Sequence, residues 1–310
     1  MYYIGIDGGA AYSRLVAADE SGKIIGRHTG GSSNVKGRGR DAVLDALKKL
    51  ISEFFRLTSS DIKDCAGLCI GSPCVETEED VKVVLGIFRE IGLEKNVAVV
   101  NDAEIVLETE TRGGAGIVIL AGESAAGYAV DNGGKKYRAG GWGNFDAVGS
   151  SQGIGAAAIN KAFMSSDGRI EKTTLLPQIL EHFKLTSVDD LENYVNNPEF
   201  PRQKLSPIAQ LVKNAAKEGD AAAKEIENDA AGALAKIAVA LIRRSKIKEP
   251  KIVLSGASVV ANDNIRAGFS AQIRAFEPSV NIVSVREKAE LGAVYIAMKN
   301  AGVKVVGEEE

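Results

Sequence analysis

Two glycine-rich windows repeat one plan, and that repetition constrains the fold more than any other feature of the chain. Residues 1–39 hold nine glycines and residues 113–155 hold thirteen, out of 34 in the whole sequence. Each window opens on a short apolar strand, Tyr3-Ile4-Gly5-Ile6 in the first and Gly116-Ile117-Val118-Ile119-Leu120 in the second. Each then turns at a glycine-bearing step, Asp7-Gly8-Gly9 or Ala121-Gly122-Glu123-Ser124, and returns along a second strand. A hairpin tip follows in both, Asp19-Glu20-Ser21-Gly22-Lys23 and Asp131-Asn132-Gly133-Gly134-Lys135. Asp at the start of such a tip bonds the turn backbone, and Gly supplies positive φ. A strand–turn–strand–tip–strand unit met twice predicts two related domains.

Helices and strands alternate around these windows. Asp41 is expected to cap a helix whose apolar residues, from Val43 to Phe55, recur every three or four positions. A strand at Gly67–Ile70 precedes a helix carrying Val81, Val84, Leu85 and Phe88. Asn96–Val100 reads as a buried strand running straight into Asn101-Asp102-Ala103 and another helix. Residues 156–245 read as mainly helical: Ser206-Pro207 starts one helix, Gly219 stops it, and Asp220 opens a long one. A strand at Lys251–Leu254, the turn Ser255-Gly256-Ala257-Ser258, a helix, a strand at Val280–Val285 and a helix from about Lys288 to Lys299 follow. The end, Gly307–Glu310, is expected to fray. The alternation gives an α/β fold, and 310 residues suit two domains.

Composition excludes several classes. With 45% apolar and 25% charged residues the chain is globular. Its 38 basic and 41 acidic residues leave a net charge of −3, which argues against nucleic acid or an anionic membrane as partner. The basic stretch Arg243-Arg244-Ser245-Lys246 reads as a solvated helix end. No apolar run approaches the ~18 residues of a membrane span, and Met1–Asp7 lacks the pattern of a signal peptide, so a cytoplasmic location is expected. Cys65, Cys69 and Cys74 have no CxxC spacing; Cys65 and Cys69 are expected on one face of a strand as small core residues. With only His28 and His182, a Ser-His-Asp hydrolase or a zinc enzyme has little to work with. Chemistry here must come from carboxylates, hydroxyls and backbone amides.

Five motifs occur in order: Asp7-Gly8-Gly9, Asn101-Asp102-Ala103, Ile119-Leu120-Ala121-Gly122, Gly140-Gly141-Trp142-Gly143 with Gly149-Ser150, and Ala289-Glu290-Leu291-Gly292-Ala293. In these the chain resembles the BadF/BadG/BcrA/BcrD-type ATPases and, among them, N-acetylglucosamine kinases of the sugar kinase/Hsp70/actin superfamily. The resemblance runs from Ile4 to about Ala297. It implies two ribonuclease-H-like (actin-like ATPase) domains with a cleft between them that takes ATP, Mg²⁺ and a small sugar, in a homodimer. On this plan residues 1–112 form the first domain, completed by a returning helix at about 288–300. Residues 113–287 form the second, with a helical insertion at about 156–245.

Asp102 stands where a buried strand ends, the place at which open α/β sheets hold ligands. It can accept the proton of a hydroxyl attacking a γ-phosphate, or it can be an ordinary helix N-cap; the resemblance makes it the catalytic base. Asp7-Gly8-Gly9 joins a carboxylate to a backbone open to phosphate, or is a plain turn; the resemblance assigns the loop to phosphate and Asp7 to the magnesium shell. Ser13, Gly122, Ser124 and the turn Gly256-Ala257-Ser258 complete the implied nucleotide side. Asn34, Asn101, Gly141, Trp142 and Asp146 form the implied sugar side, where amides and an indole face suit a hydroxyl-rich ring.

Three loops depart from the family pattern. Asp-Gly-Gly-Gly-Thr-Lys-Thr becomes Asp7-Gly8-Gly9-Ala10-Ala11-Tyr12-Ser13, losing the threonine hydroxyl and the cation. Gly-Thr-Gly-Ser becomes Gly122-Glu123-Ser124-Ala125, and the acidic pair after the tryptophan is replaced by Asp146-Ala147-Val148. A carboxylate ~5 Å from phosphate costs about 3 kcal/mol at an effective dielectric of 20. Two further readings stay open: a sugar-binding protein without turnover, and an ATPase driving electron transfer like the family's dehydratase activators, whose cluster-binding cysteines lie in a part of the fold that Cys65, Cys69 and Cys74 do not match.

Overall fold

A computed structural model describes residues 1–73 and 75–304. The chain divides into two compact units, Met1–Gly114 with the segment from Val285 onward, and Ala115–Ser284.

In the first unit β1 (Tyr2–Asp7), β2 (Tyr12–Ala18) and β3 (Ile24–Gly31) form an antiparallel meander. Helices α1 (Val35–Arg38) and α2 (Arg40–Thr58) lead to β4 (Cys65–Gly71), parallel to β1. Helix α3 (Glu78–Ile91) leads to β5 (Val97–Val100), parallel to β4, and α4 (Asp102–Thr111) follows at once. The sheet order is β3-β2-β1-β4-β5.

The second unit repeats the plan. An antiparallel meander of β6 (Gly116–Ala121), β7 (Ala125–Val130) and β8 (Lys136–Gly140) opens it. Five helices follow, α5 (Ser151–Ser166), α6 (Leu175–Phe183), α7 (Val188–Val195), α8 (Ile208–Lys217) and α9 (Ala221–Ser245). Then come β9 (Lys251–Ser255) parallel to β6, α10 (Ala257–Val260), α11 (Asp263–Phe276) and β10 (Asn281–Ser284) parallel to β9. Its order, β10-β9-β6-β7-β8, is that of the first sheet read from the other edge. The hairpin tips match atom for atom. Asp19 Oδ1 accepts from the N–H groups of Ser21 and Lys23 at 2.9 and 3.0 Å, and Asp131 Oδ1 from those of Gly133 and Lys135, each at 2.9 Å. Gly22 and Gly134 take φ of +82° and +78° in the same place.

The last helix, α12 (Ala289–Asn300), belongs to the first unit and packs on β1 and α4. Two glycines permit the approach. A Cβ on Gly5 would lie 2.1 Å from the Glu290 carbonyl oxygen, and one on Gly292 would lie 1.8 Å from that of Ile105. The Ala289–Ala293 motif is therefore a backbone-contact motif, with Glu290 buried and paired to Arg27 at 2.9 Å.

Two expectations fail for local reasons. Asp41 does not cap α2: the chain enters from Gly39 at φ +82°, and Asp41 sits exposed in the first turn beside Arg40. Cys65 and Cys69 are both buried but face opposite ways, Cys65 among Tyr2, Ile4 and Leu68, Cys69 among Tyr3, Val16 and Ala293. The register against β1 slips between Tyr2 and Tyr3, which oppose Cys65 and Gly67, and one inserted residue inverts the alternation. Burial pushes the Cys65 thiol up to about 11, as suits an inert core residue. Cys74 and the expected fraying of Gly307–Glu310 lie outside the described residues.

Candidate active site

The first unit gathers its polar residues where β1, β4 and β5 end. Asp7 is the last residue of β1, and the turn after it is stitched to the segment after β3. Gly9 O accepts from Ser33 N at 3.2 Å and from Ser32 Oγ at 3.1 Å, while Gly8 N donates to Gly71 O at 2.8 Å. A Cβ on Gly8 would stand 2.2 Å from Ser33 Oγ and one on Gly9 2.5 Å from Tyr12 O, so both positions require glycine. Ser13 is fully buried, and its Oγ has no hydrogen-bond partner. Asn34 caps α1, its side chain accepting from Gly37 N at 3.0 Å.

Asn101 and Asp102 divide their roles. Asn101 is the N-cap of α4, accepting from Ala103 N at 3.0 Å and donating to Val75 O at 3.1 Å, so its amide already serves the backbone. Asp102 is the first helical residue, not the cap. Burial first, and then the charge of Asp7, push its carboxyl up to about 6, against the opposing pull of backbone N–H groups. Asp7 is also raised, chiefly by burial, while Arg14 pulls it down. Arg14 Nη1 lies 3.1 Å from Asp7 Oδ2, directly across the antiparallel pair. No local motif marks Arg14; the signal that points to it is the register across the β1–β2 turn, which opposes residue 7 to residue 14.

The second unit holds the other predicted residues in three places. The β6–β7 turn is closed by Gly122 N donating to Ser124 O at 3.0 Å and tied to α5 through Ser151 N and Gly122 O at 2.8 Å. Glu123 and Ser124 are exposed there. Gly256, at φ +97°, packs on that turn: a Cβ would meet the Ala121 carbonyl at 2.4 Å. Ala257 opens α10, and Ser258 is buried with its Oγ unpartnered. Gly140 and Gly141 take φ of +72° and +77° ahead of Trp142, which is 73% exposed with the Arg138 guanidinium 5.2 Å from its ring centre. Asp146 lies back against Gly140, its Oδ2 3.5 Å from where a Cβ on that glycine would be. A separate cavity of about 600 Å³ between α11 and β10 is lined by Arg266, Ser270, Arg274 and Val283, and by none of the predicted site residues.

Each unit, taken by itself, carries polar groups with bonding capacity left over. The buried hydroxyls of Ser13 in the first unit and Ser258 in the second have no partner and so have bonds left to make. Among the described residues no three His, Cys, Asp or Glu side chains gather as a metal cage. Magnesium needs no such cage, since it binds through one or two carboxylates with phosphate oxygens and water, and Asp7 is a carboxylate that would fit that role. No helix of the described residues is long and apolar enough to cross a membrane.

Two α/β units on one strand order, each with a glycine turn after its first strand, define the actin-like ATPase class. The chain belongs to the BadF/BadG/BcrA/BcrD ATPase family, whose profile matches residues 4–297. It is 30% identical over 299 residues to an N-acetylmuramic acid/N-acetylglucosamine kinase of Clostridium acetobutylicum, covering 96% of this chain and 98% of that one. An N-acetyl-D-glucosamine kinase of Dictyostelium discoideum is 28% identical over 312 residues, with the same coverage. Among solved structures, a provisionally named N-acetylglucosamine kinase of Chromobacterium violaceum superposes with a TM-score of 0.74 at 21% identity, covering 95% and 98% of the two chains. That last likeness establishes the fold.

Proposed function

We propose that this chain is an ATP-dependent kinase of N-acetylglucosamine or a related amino sugar. One observation carries the reading: Asp102 lies at the end of β5, is not the helix cap, and holds its proton up to about 6. A carboxylate of that basicity at neutral pH is ionised yet able to take a proton from an alcohol. The named kinases that match over nearly the whole chain support it.

In this reading ATP provides the phosphoryl group and magnesium offsets its charge. The sugar hydroxyl oxygen attacks the γ-phosphorus, the bond from that phosphorus to the β–γ bridging oxygen breaks, and Asp102 receives the hydroxyl proton. Asp7 would hold the metal when it is bound. Gly9 N and the Ser13 hydroxyl receive phosphate oxygens, with Gly8 shaping the turn through its bond to Gly71; Gly122, Ser124, Gly256, Ala257 and Ser258 bind the nucleotide from the second unit. Asn34, Gly141, Trp142 and Asp146 bind sugar. Asn101 acts by fixing the entry to α4, since both ends of its amide are engaged. The functional form is a homodimer.

A second reading, a sugar-binding protein without turnover, is favoured by Glu123 at the β6–β7 turn and by the loss of the threonine and lysine after Gly9. Glu123 is exposed and can turn to water, which is why the kinase reading is preferred. Calorimetry separates the two. The kinase binds Mg-ATP at sub-millimolar concentration; sugar binding with no affinity at millimolar Mg-ATP contradicts it, and recovery in Glu123→Thr would then identify the block.

A further inference from the structure

The turn that the kinase reading gives to phosphate, Gly8–Ser13, contains no lysine or arginine. The carboxylates of Asp7 and Asp102 already crowd the same sheet end, so an anionic ligand there needs a cation from elsewhere. We propose, resting on the kinase reading above, that Arg14 is that cation: a phosphate-gripping residue supplied from strand β2 instead of from the turn.

The geometry is that of a guanidinium held ready. Arg14 opposes Asp7 in the antiparallel register, and Nη1 donates to Asp7 Oδ2 at 3.1 Å. Nη2 donates to the Tyr12 hydroxyl at 2.6 Å, and the guanidinium carbon sits 4.6 Å from the centre of the Tyr12 ring. These two bonds use two of the five N–H donors that arginine carries in a fixed fork. The rest can bond a phosphate oxygen while the pair with Asp7 persists. The Arg14 side chain is 44% exposed, so a ligand can reach it. Tyr12, itself exposed, then has a reason to stand where the family places lysine: it supports an arginine that arrives two residues later.

Calorimetric titration of Mg-ATP and, separately, of N-acetylglucosamine into the full chain tests this. Arg14→Ala is expected to weaken Mg-ATP binding by about tenfold to a hundredfold, the range for a charge-assisted hydrogen bond, and to leave sugar affinity within twofold. Arg14→Lys is expected to keep part of the nucleotide affinity. Lys23→Ala, which removes a like charge at the exposed hairpin tip of the same sheet, is expected to change neither. Unchanged Mg-ATP affinity in Arg14→Ala overturns the proposal, as does an equal loss of sugar and nucleotide affinity, which would mark Arg14 as structural. A wild-type chain that binds no Mg-ATP overturns the kinase reading, and the proposal with it.

Discussion

Asp7 raises Asp102: its charge, added to the larger effect of burial, holds the Asp102 carboxyl protonated up to about pH 6. The two residues come from different strands, Asp7 ending β1 and Asp102 following β5, with β4 between those strands. A shared sheet end thus sets the basicity of the candidate base. Asp7 is in turn kept toward its ionised form by Arg14, so the charge that raises Asp102 is itself stabilised.

Activity should follow that proton. For a base that titrates near 6 in the free enzyme, kcat/KM rises about tenfold per pH unit below 6 and levels off above it. A rise centred near 4, the ordinary carboxylate range, would remove Asp7 and burial from the account.

Asp102→Asn separates catalysis from stability. Turnover should fall by about 10²- to 10⁴-fold, with sugar affinity preserved. The folded-state carboxyl is raised from 3.8 to about 6, so the folded chain binds more protons than the unfolded chain between those values, and stability falls as pH rises through them. Removing the charge should therefore stabilise the fold at pH 7, by no more than about 3 kcal/mol, and have little effect near pH 3.5. Urea unfolding at both pH values checks the sign; destabilisation at pH 7 would mean that the carboxylate holds the helix start together.

Local chemistry was legible and cross-strand geometry was not. The two hairpin tips could be read because Asp and Gly act within five residues of each other, and both fold as the sequence suggests. Asn101 and Asp102 could not be told apart as caps, since both residue types cap well and the choice depends on where β5 releases the chain. The capping role expected for Asp41 failed because Gly39 takes φ +82° and lets the helix begin earlier. The faces of Cys65 and Cys69 were hidden by a register slip that involves a different strand. Arg14 escaped because its partner is seven residues back, opposite it only once the hairpin is paired.

Close backbone contact predicts opposite outcomes for two glycines. Gly5→Ala drives a methyl to 2.1 Å from Glu290 O and 2.6 Å from Val294 N, which cannot give way as a side chain would, and should cost about 3 kcal/mol. Gly232→Ala, inside α9 with no neighbour nearer than 3.8 Å, should stabilise by about 0.5–1 kcal/mol. Thermal unfolding of the two variants tests how α12 seats on β1.

Trp142 is exposed enough that its removal should be felt by ligand and not by fold. Trp142→Ala is expected to raise the sugar KM about tenfold, a loss of ~1.4 kcal/mol, and to change unfolding by less than about 0.5 kcal/mol. Lost stability with unchanged KM would make the indole a packing residue.

The most direct test is ADP release from Mg-ATP by the wild-type chain across a panel of hexoses and N-acetylated amino sugars. ADP formation is expected to depend on added sugar, to be strongest with N-acetylglucosamine or a close amino-sugar relative, and to be lost in Asp102→Asn. Sugar binding without any sugar-dependent ADP release would contradict the kinase reading.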